Sequence, residues 1–467
     1  MTLRQAHDSP LRVAVIGGGP AGIYAADILT NSDTEVSVDI IERLPAPFGL
    51  VRYGVAPDHP RIKEIIKALH RVLAKPEVRF LGNVEYGVDV KLDDLRAFYD
   101  AVIIATGAMA DRDLGIPGEE RSLGAADFVS WYDAHPDVPQ SWPLDATSVA
   151  VIGVGNVALD IARVLAKTGD EMLVTDIPEH VYRGLAAKTT TDVHVFSRRG
   201  PAYAKFSPLE LRELNHSPNV EVIVHPEGFD VDADGMAHVA KHKAQKMVLN
   251  ILSNWVGAEP AGKPHRIHLH FAEAPTEIIA DGDGRVTTLR TERTHSPNAD
   301  GTVEGTGEIT DWDVQAVYRA IGYRSTPLPD LPFDDRAAVI PNDGGRVLDL
   351  DGNAMPGTFV TGWIKRGPVG LIGHTKSDAA ETVEHLLAET TRTATLRATA
   401  DVDAYLAERR IAVASDAAWE RLDLHEIALG EAAGRARIKV AERAEMLRVG
   451  GVGSAPASGR YPQATVG

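Results

Sequence analysis

The sequence predicts an α/β protein built from two parallel-sheet units, and three observations predict it. A run of strand, glycine-rich turn, helix and strand occurs twice, first from Leu11 and again from Ser148. Each run has a later apolar strand that stops at a glycine: Tyr99 to Ala105 before Thr106-Gly107, and Val314 to Ala320 before Ile321-Gly322. The 467 residues, 44% hydrophobic and 24% charged, can bury large cores without disulfides or structural metal. At about 150 residues per domain the length suggests three units, and two large ones fit equally well.

Taken in order, Leu11 to Ile16 (LRVAVI) reads as a short buried strand, and GGGPAG follows at once. Apolar residues continue through Ile28 and Leu29, as a helix requires, and Ser37 to Ile41 is a second strand stopping at Glu42. In the second unit Ser148 to Ile152 leads into GVGNVA. A helix with Val157, Ile161, Val164 and Leu165 on one face comes next, and Asp192 to Ser197 is the following strand. Val231 to Gly307 mixes short strands, His and Gly and reads as an excursion within this unit. Ala354 to Asp378 carries the strand TFVTGW, the turn KRGPVGLIG and a helix start. Asp401 to Val449 reads as helices or loops, and Gly450 to Gly467 is expected to be a disordered tail.

Composition excludes several classes. With no cysteine there is no disulfide, Cys-ligated zinc, Cys-bound iron–sulfur cluster, thiol nucleophile or CxxC pair. Electron chemistry would need a bound cofactor. A net charge of −18 disfavours general nucleic-acid binding, although a local basic patch is compatible with it. No apolar run reaches about 18 residues, so no membrane-spanning helix is expected. Met1 to Pro10 lacks an apolar secretory core, and a cytoplasmic location is the simplest expectation. No metal-ligating pattern is singled out.

Gly17-x-Gly19-x-x-Gly22 lies between a strand and a helix. The first glycine allows the tight turn, the second lets backbone approach a pyrophosphate, and the third lets helix and strand pack closely. The helix start offers unpaired N–H groups to the anion. Glu42, ending the next strand, would accept hydrogen bonds from ribose hydroxyls and repel a 2′-phosphate, so this site suits FAD or NAD. Gly153-x-Gly155-x-x-Ala158 repeats the arrangement, but its next strand ends in Ser197-Arg198-Arg199. Two guanidiniums match a 2′-phosphate and stay charged, which points to NADP(H). The distance from Gly153 to Arg198 exceeds the usual ~20 residues, and an insertion around Gly169 to Lys188 accounts for it. Two unlike dinucleotide sites on one chain suggest an electron relay.

At this point the sequence resembles the adrenodoxin reductase family. The resemblance runs from Arg12 to about Val449. It rests on GGGPAG, PAPFGLVRYGVAPDHPRIK, GNVEYG, DRDLGIPGEE, VIGVGNVALDIARVL, SRRGP, LELREL, YRAIGYR, PFDD and GWIKRGPVGLIG. It implies two Rossmann-like dinucleotide-binding domains: a discontinuous FAD domain, 1–111 and 327–449, with an NADP domain, 112–326, inserted into it. It implies that Pro20 and Ala21 join the three glycines at FAD, with Glu42, Leu50 and Val84 in contact. Trp363, Gly370, Leu371 and Ile372 would cover the isoalloxazine. Arg112 would reach the NADP phosphates, and Gly155, Asn156, Val157 and Ala158 the pyrophosphate. Arg198 and Arg199 would take the 2′-phosphate, Glu210 would touch NADP, and His59 and Glu213 would form a polar pair near the nicotinamide.

The implied activity is hydride transfer from NADPH to FAD N5, then one-electron transfer to an iron–sulfur ferredoxin. Lys205, Ser207-Pro208 and His374-Thr375 depart from the family pattern. Simpler readings stand beside these roles: Trp363 as a core aromatic, His59 as a turn cap, and Glu213 as a helix-surface carboxylate. An acidic ferredoxin would dock on a basic patch. One choice is Lys63, Lys67, Arg71 and Lys75, spaced by four on a helix; the other is Lys241, Lys243 and Lys246. Two other functions are compatible with the motifs. One is an electron-supplying subunit like the glutamate synthase small subunit, whose Cys-rich segment is missing here. The other is a non-catalytic NADPH sensor.

Overall fold

A computed structural model describes residues 10–295, 302–369, 372–390 and 399–453. The chain forms two compact units. Of the described residues, the first contains those up to Ala110, the segment Asp133–Asp137, and those from Tyr323 to Gly453; the second contains Asp111–Tyr132 and those of Val138–Gly322.

In the first unit, five strands run parallel in the order Ala354–Val360, Ala101–Ile104, Leu11–Ile16, Val36–Glu42, Val78–Gly82. Short antiparallel strands extend both edges. Every residue of Leu11–Ile16 is buried, as expected where a parallel strand is covered on both faces. One face packs Ile23, Ala26 and Leu29 of the helix Pro20–Thr30 with Ala379, Val383 and Leu386 of the helix Ile372–Glu389. The other face holds Ile104, Val360 and Leu406.

The second unit repeats this scheme with six parallel strands, ordered Leu123–Gly124, Ala316–Arg319, Ser148–Ile152, Asp192–Phe196, His265–His270, Val220–Val224. A separate antiparallel sheet, Glu273–Ala280, Val286–Thr294 and Gly305–Asp313, contributes Ile278 and Leu289 to a core with Ile152, Phe196 and Val317.

Several expectations change. The excursion after Val231 begins with two helices, Ala233–Lys241 and Lys243–Trp255, before its strands. Asp232 caps the first through its side chain, and Val248, Leu249 and Leu252 form a buried stripe on the second. The stretch Gly169 to Lys188 folds as two helices, Gly169–Met172 and Glu179–Ala187. Asp133–Asp137 clusters with the first unit, because Lys63 and Lys439 both donate to Asp133 Oδ1, at 3.1 and 2.7 Å. The basic stripe is not one solvated helix face. It splits into Pro60–Lys63 and Ile66–Leu73, with three-residue hydrogen bonds at Lys67 and Ala68 marking the tighter join. Lys63 is committed to Asp133, and Lys75 to Asp27 and Thr30. Of the tail, Gly450 to Gly453 are described, and residues 454–467 lie outside the described residues.

Candidate functional site

In the first unit the glycine turn continues the sheet: the Gly17 amide donates to Ile41 O at 2.8 Å. Gly17 has φ +114°, and a Cβ there would lie 2.5 Å from Ala105 O. A Cβ on Gly22 would lie 2.1 Å from Gly17 O, so helix and turn meet as the motif requires. Gly19 is the N-cap and Pro20 the first helical residue, and no side chain caps the amides that follow. An uncapped helix start beside an unobstructed Gly19, whose nearest Cβ neighbour is Gly49 Cα at 3.8 Å, fits a pyrophosphate. Ala21 is buried beneath this start.

Glu42 closes the adjacent strand and is 9% exposed. Its carboxylate accepts from the Gly18 amide at 2.7 Å and the Leu44 amide at 3.0 Å. Burial pushes its pKa up, opposed by those amides and by Arg43 and Arg443. Val84 lies beside it, its amide donating to Glu42 O. Leu50 begins the short helix Leu50–Tyr53 after Gly49, which has φ +47°.

Trp363 is half-buried at the start of the helix Trp363–Arg366, with its ring 6.3 Å from that of Tyr323, so it is not a core aromatic. The preceding Gly362 packs on the first glycine turn: a Cβ on it would stand 2.7 Å from Ala21 Cβ. Asp378 fixes this corner by accepting from the Gly362 amide at 2.6 Å and Thr361 Oγ1 at 3.2 Å, with buried Lys365 Nζ 3.0 Å away. Sequence reasoning passed over Asp378 and Lys365. Their signal is position alone: Lys365 opens KRGPVGLIG and Asp378 follows it by five residues. Gly370 and Leu371 lie outside the described residues, and Ile372 opens the helix Ile372–Glu389. His374 is exposed on that helix. His59 is 5% exposed and occupies the N-cap position of Pro60–Lys63, but its side chain makes no capping bond there.

In the second unit the Gly153 amide donates to Phe196 O at 3.0 Å, and a Cβ on Gly153 would lie 2.2 Å from Ala320 O. Gly155 is the N-cap of Asn156–Ala166, with nothing within 4 Å of a Cβ position and no side-chain cap. Ala158 is fully buried in the third motif position. The Asn156 side chain braces the neighbouring loop: its Oδ1 accepts from the Ser207 amide at 2.7 Å. The Lys205 amide donates to Val154 O, so AYAKFSPLE is pinned along the glycine turn. The backbone amides of Asn156 and Val157 remain at the helix start, where an anion would approach.

Arg198 is exposed and Arg199 half-buried after the strand Asp192–Phe196. Thr294 Oγ1 donates to Arg198 O, and Ser197 Oγ donates to Arg199 O, which fixes the backbone beneath both cations. Burial and the Arg198 charge lower the Arg199 pKa. Arg112 is exposed, bonds its amide to Gly322 O at 3.1 Å, and lies along Gly322. Ser207 caps the helix Pro208–Glu213 through the Glu210 amide. Glu210 is buried with an oxygen 3.7 Å from Arg163, which also donates to Asp160. Glu213 ends that helix half-buried. His59 thus belongs to the first unit, and Glu210 and Glu213 to the second.

Two parallel sheets, each with a strand–glycine–helix turn at the carboxyl ends of its strands, define a protein of two dinucleotide-binding folds. The profile of the family described as pyridine nucleotide-disulphide oxidoreductase matches residues 11–199. With no cysteine in the chain, the disulphide half of that description has no counterpart here. NADPH-ferredoxin reductase FprA of Mycobacterium tuberculosis is 40% identical over 458 residues, which cover 94% of this chain and 99% of that protein. The mitochondrial NADPH:adrenodoxin oxidoreductase of Arabidopsis thaliana is 35% identical over 463 residues, covering 95% and 96%. The structure of M. tuberculosis FprA in complex with NADPH matches with a TM-score of 0.87 at 40% identity, over 95% of this chain and all of that one. The chain belongs to the family of NADPH–ferredoxin and NADPH:adrenodoxin reductases.

Proposed function

We propose that this chain is an FAD-containing NADPH–ferredoxin reductase, cytoplasmic and monomeric. The observation that carries the reading is the contrast between two equivalent strand ends. Buried Glu42 closes one adenosine pocket, and Arg198 with Arg199 closes the other. A carboxylate repels a 2′-phosphate and two guanidiniums attract one, so the first unit takes FAD and the second NADP(H).

In this reading Gly17, Gly19, Pro20, Ala21 and Gly22 cradle the FAD pyrophosphate, with Glu42, Leu50 and Val84 along its adenosine side. Trp363, Gly370, Leu371 and Ile372 cover its ring. Gly155, Asn156, Val157 and Ala158 present backbone amides to the NADP pyrophosphate. Arg112 neutralises phosphate charge, and Glu210 keeps Arg163 in place. A flavin held there would supply acceptance of a hydride from NADPH and release of electrons one at a time, which a one-electron iron–sulfur acceptor requires. His59 and Glu213 tune binding near the nicotinamide without having to move a proton. For an acidic ferredoxin, the favoured patch is Lys241, Lys243 and Lys246. These stay exposed, whereas Lys63 and Lys75 are held in ion pairs.

Stopped-flow reduction by NADPH and by NADH tests the reading. Arg198→Ala/Arg199→Ala should raise KM for NADPH about 100-fold, the loss of two charge-assisted hydrogen bonds. KM for NADH should move less than about threefold. Equal effects on both coenzymes would remove the 2′-phosphate assignment. Protein without flavin absorbance after gentle purification would remove the reductase reading, and binding of NADPH without flavin bleaching would favour the sensor.

A further inference from the structure

We propose that Asp192, His194 and His268 form a binding site for one divalent transition-metal ion, of the zinc, cobalt or nickel class. Asp192 and His194 are two apart on the strand Asp192–Phe196 and so share a face. The neighbouring strand is parallel and in a register that sets Arg266 opposite Asp192 and His268 opposite His194. One donor atom from each of Asp192, His194 and His268 lies within 4.8 Å of the other two. Two imidazoles and a carboxylate suit these ions, and the spacing is that of a three-ligand site awaiting closure. Metal–ligand bonds of about 2.0–2.1 Å place tetrahedral donors about 3.4 Å apart. Closure to that spacing draws the widest-set donors together by up to about 1.4 Å.

The surroundings are those of a ligand set with its outer supports in place. His194 and His268 are stacked at 4.4 Å, and Nδ1 of each is engaged by a further imidazole. His194 Nδ1 is 3.0 Å from His270 Nε2, and His268 Nδ1 is 3.0 Å from His225 Nε2. With a metal on Nε2 of His268, its proton resides on Nδ1 and is donated to His225. This is the outer hydrogen bond that metal-bound histidines ordinarily make. The hydrogen bond now joining His268 Nε2 to Asp192 Oδ1 at 2.9 Å is the contact the ion replaces.

Arg266 is the competitor. Its guanidinium holds both Asp192 oxygens, at 2.5 and 2.6 Å, yet the side chain is 40% exposed and has solvent to move into. The site starts at the amino end of a strand whose carboxyl end leads to Arg198, roughly 20 Å along the chain. It is therefore separate from the dinucleotide turn.

The test uses the flavin-loaded full chain, free of any affinity tag, stripped with a chelator and desalted. It is titrated with cobalt chloride, followed by the visible bands of tetrahedral cobalt, and with zinc chloride by calorimetry. Wild type should take up one ion per chain. His194→Gln and His268→Gln should each weaken binding at least tenfold, and Arg266→Gln should tighten it at least fivefold by freeing the carboxylate. Flavin absorbance and melting temperature report whether each variant is folded. Should a histidine variant fail to fold, Asp192→Asn takes its place with the same tenfold expectation. No saturable uptake by wild type, or uptake unchanged in the ligand variants, would overturn the site.

Discussion

At the scale of single residues, buried charge decides what each position can do. Asp111 accepts from the Ala126 amide at 3.0 Å, yet burial, with Asp127 nearby, pushes its pKa up to about 7 against the pull of Arg319. A carboxyl with a raised folded-state pKa favours folding while it is protonated. That contribution is complete below the unfolded-state value near 4 and is lost as pH rises through about 7. Thermal melts should therefore show the wild type losing a few degrees between pH 5 and pH 8 relative to Asp111→Asn, which cannot ionise. Parallel pH profiles for the two proteins would contradict this. The same scale shows where sequence reasoning stops. Glycines at 17, 22 and 153 were legible from motif spacing because strand, turn and helix follow one another directly there, although the backbone that excludes a side chain at 17 and 153 belongs to Ala105 and Ala320, far along the chain. The engagement of Asn156 with the Ser207 amide was not, because the two are 51 residues apart.

At the scale of elements, stability rests on polar anchors that link distant segments within the first unit. Glu426, fully buried in the helix Asp416–Ala432, takes both guanidinium nitrogens of Arg52, at 2.9 and 2.5 Å, and the Val440 amide at 2.8 Å. Removing one partner leaves a buried charge without compensation, at about 3–5 kcal/mol. Glu426→Ala should lower the melting temperature by roughly 10 °C. A change under about 2 °C would show that the pair is dispensable. Helix existence was legible from apolar spacing in Pro20–Thr30 and Asn156–Ala166. The break between Lys63 and Ile66 was not, because the spacing of cations continues across it. Nor was the commitment of Lys63 and Lys75, since their acidic partners come from other parts of the chain.

At the scale of the whole molecule, each unit closes its own sheet around its own cores, so the proposed nucleotide assignments can be tested by linkage. A ligand that binds only the folded state stabilises it by about 2.7 kcal/mol at one hundred times its dissociation constant. Adenosine 2′,5′-bisphosphate should raise the melting temperature measurably, and adenosine 5′-monophosphate at equal concentration far less. The difference should vanish in Arg198→Ala/Arg199→Ala. Equal stabilisation by both nucleotides would place recognition away from the 2′-phosphate.

The sequence by itself determined the two glycine turns, the strands around them and the contrast between Glu42 and the Arg198-Arg199 pair. These are properties of short stretches, set by backbone sterics, strand period and the charge of adjacent residues. The tertiary structure alone decided which cations remain exposed and which side chains brace the turns. It also decided that His194 of DVHVF and His268 of HRIHLH stand beside one another. The reason is that parallel pairing brings together segments dozens to hundreds of residues apart, in a register fixed by burial of the whole sheet.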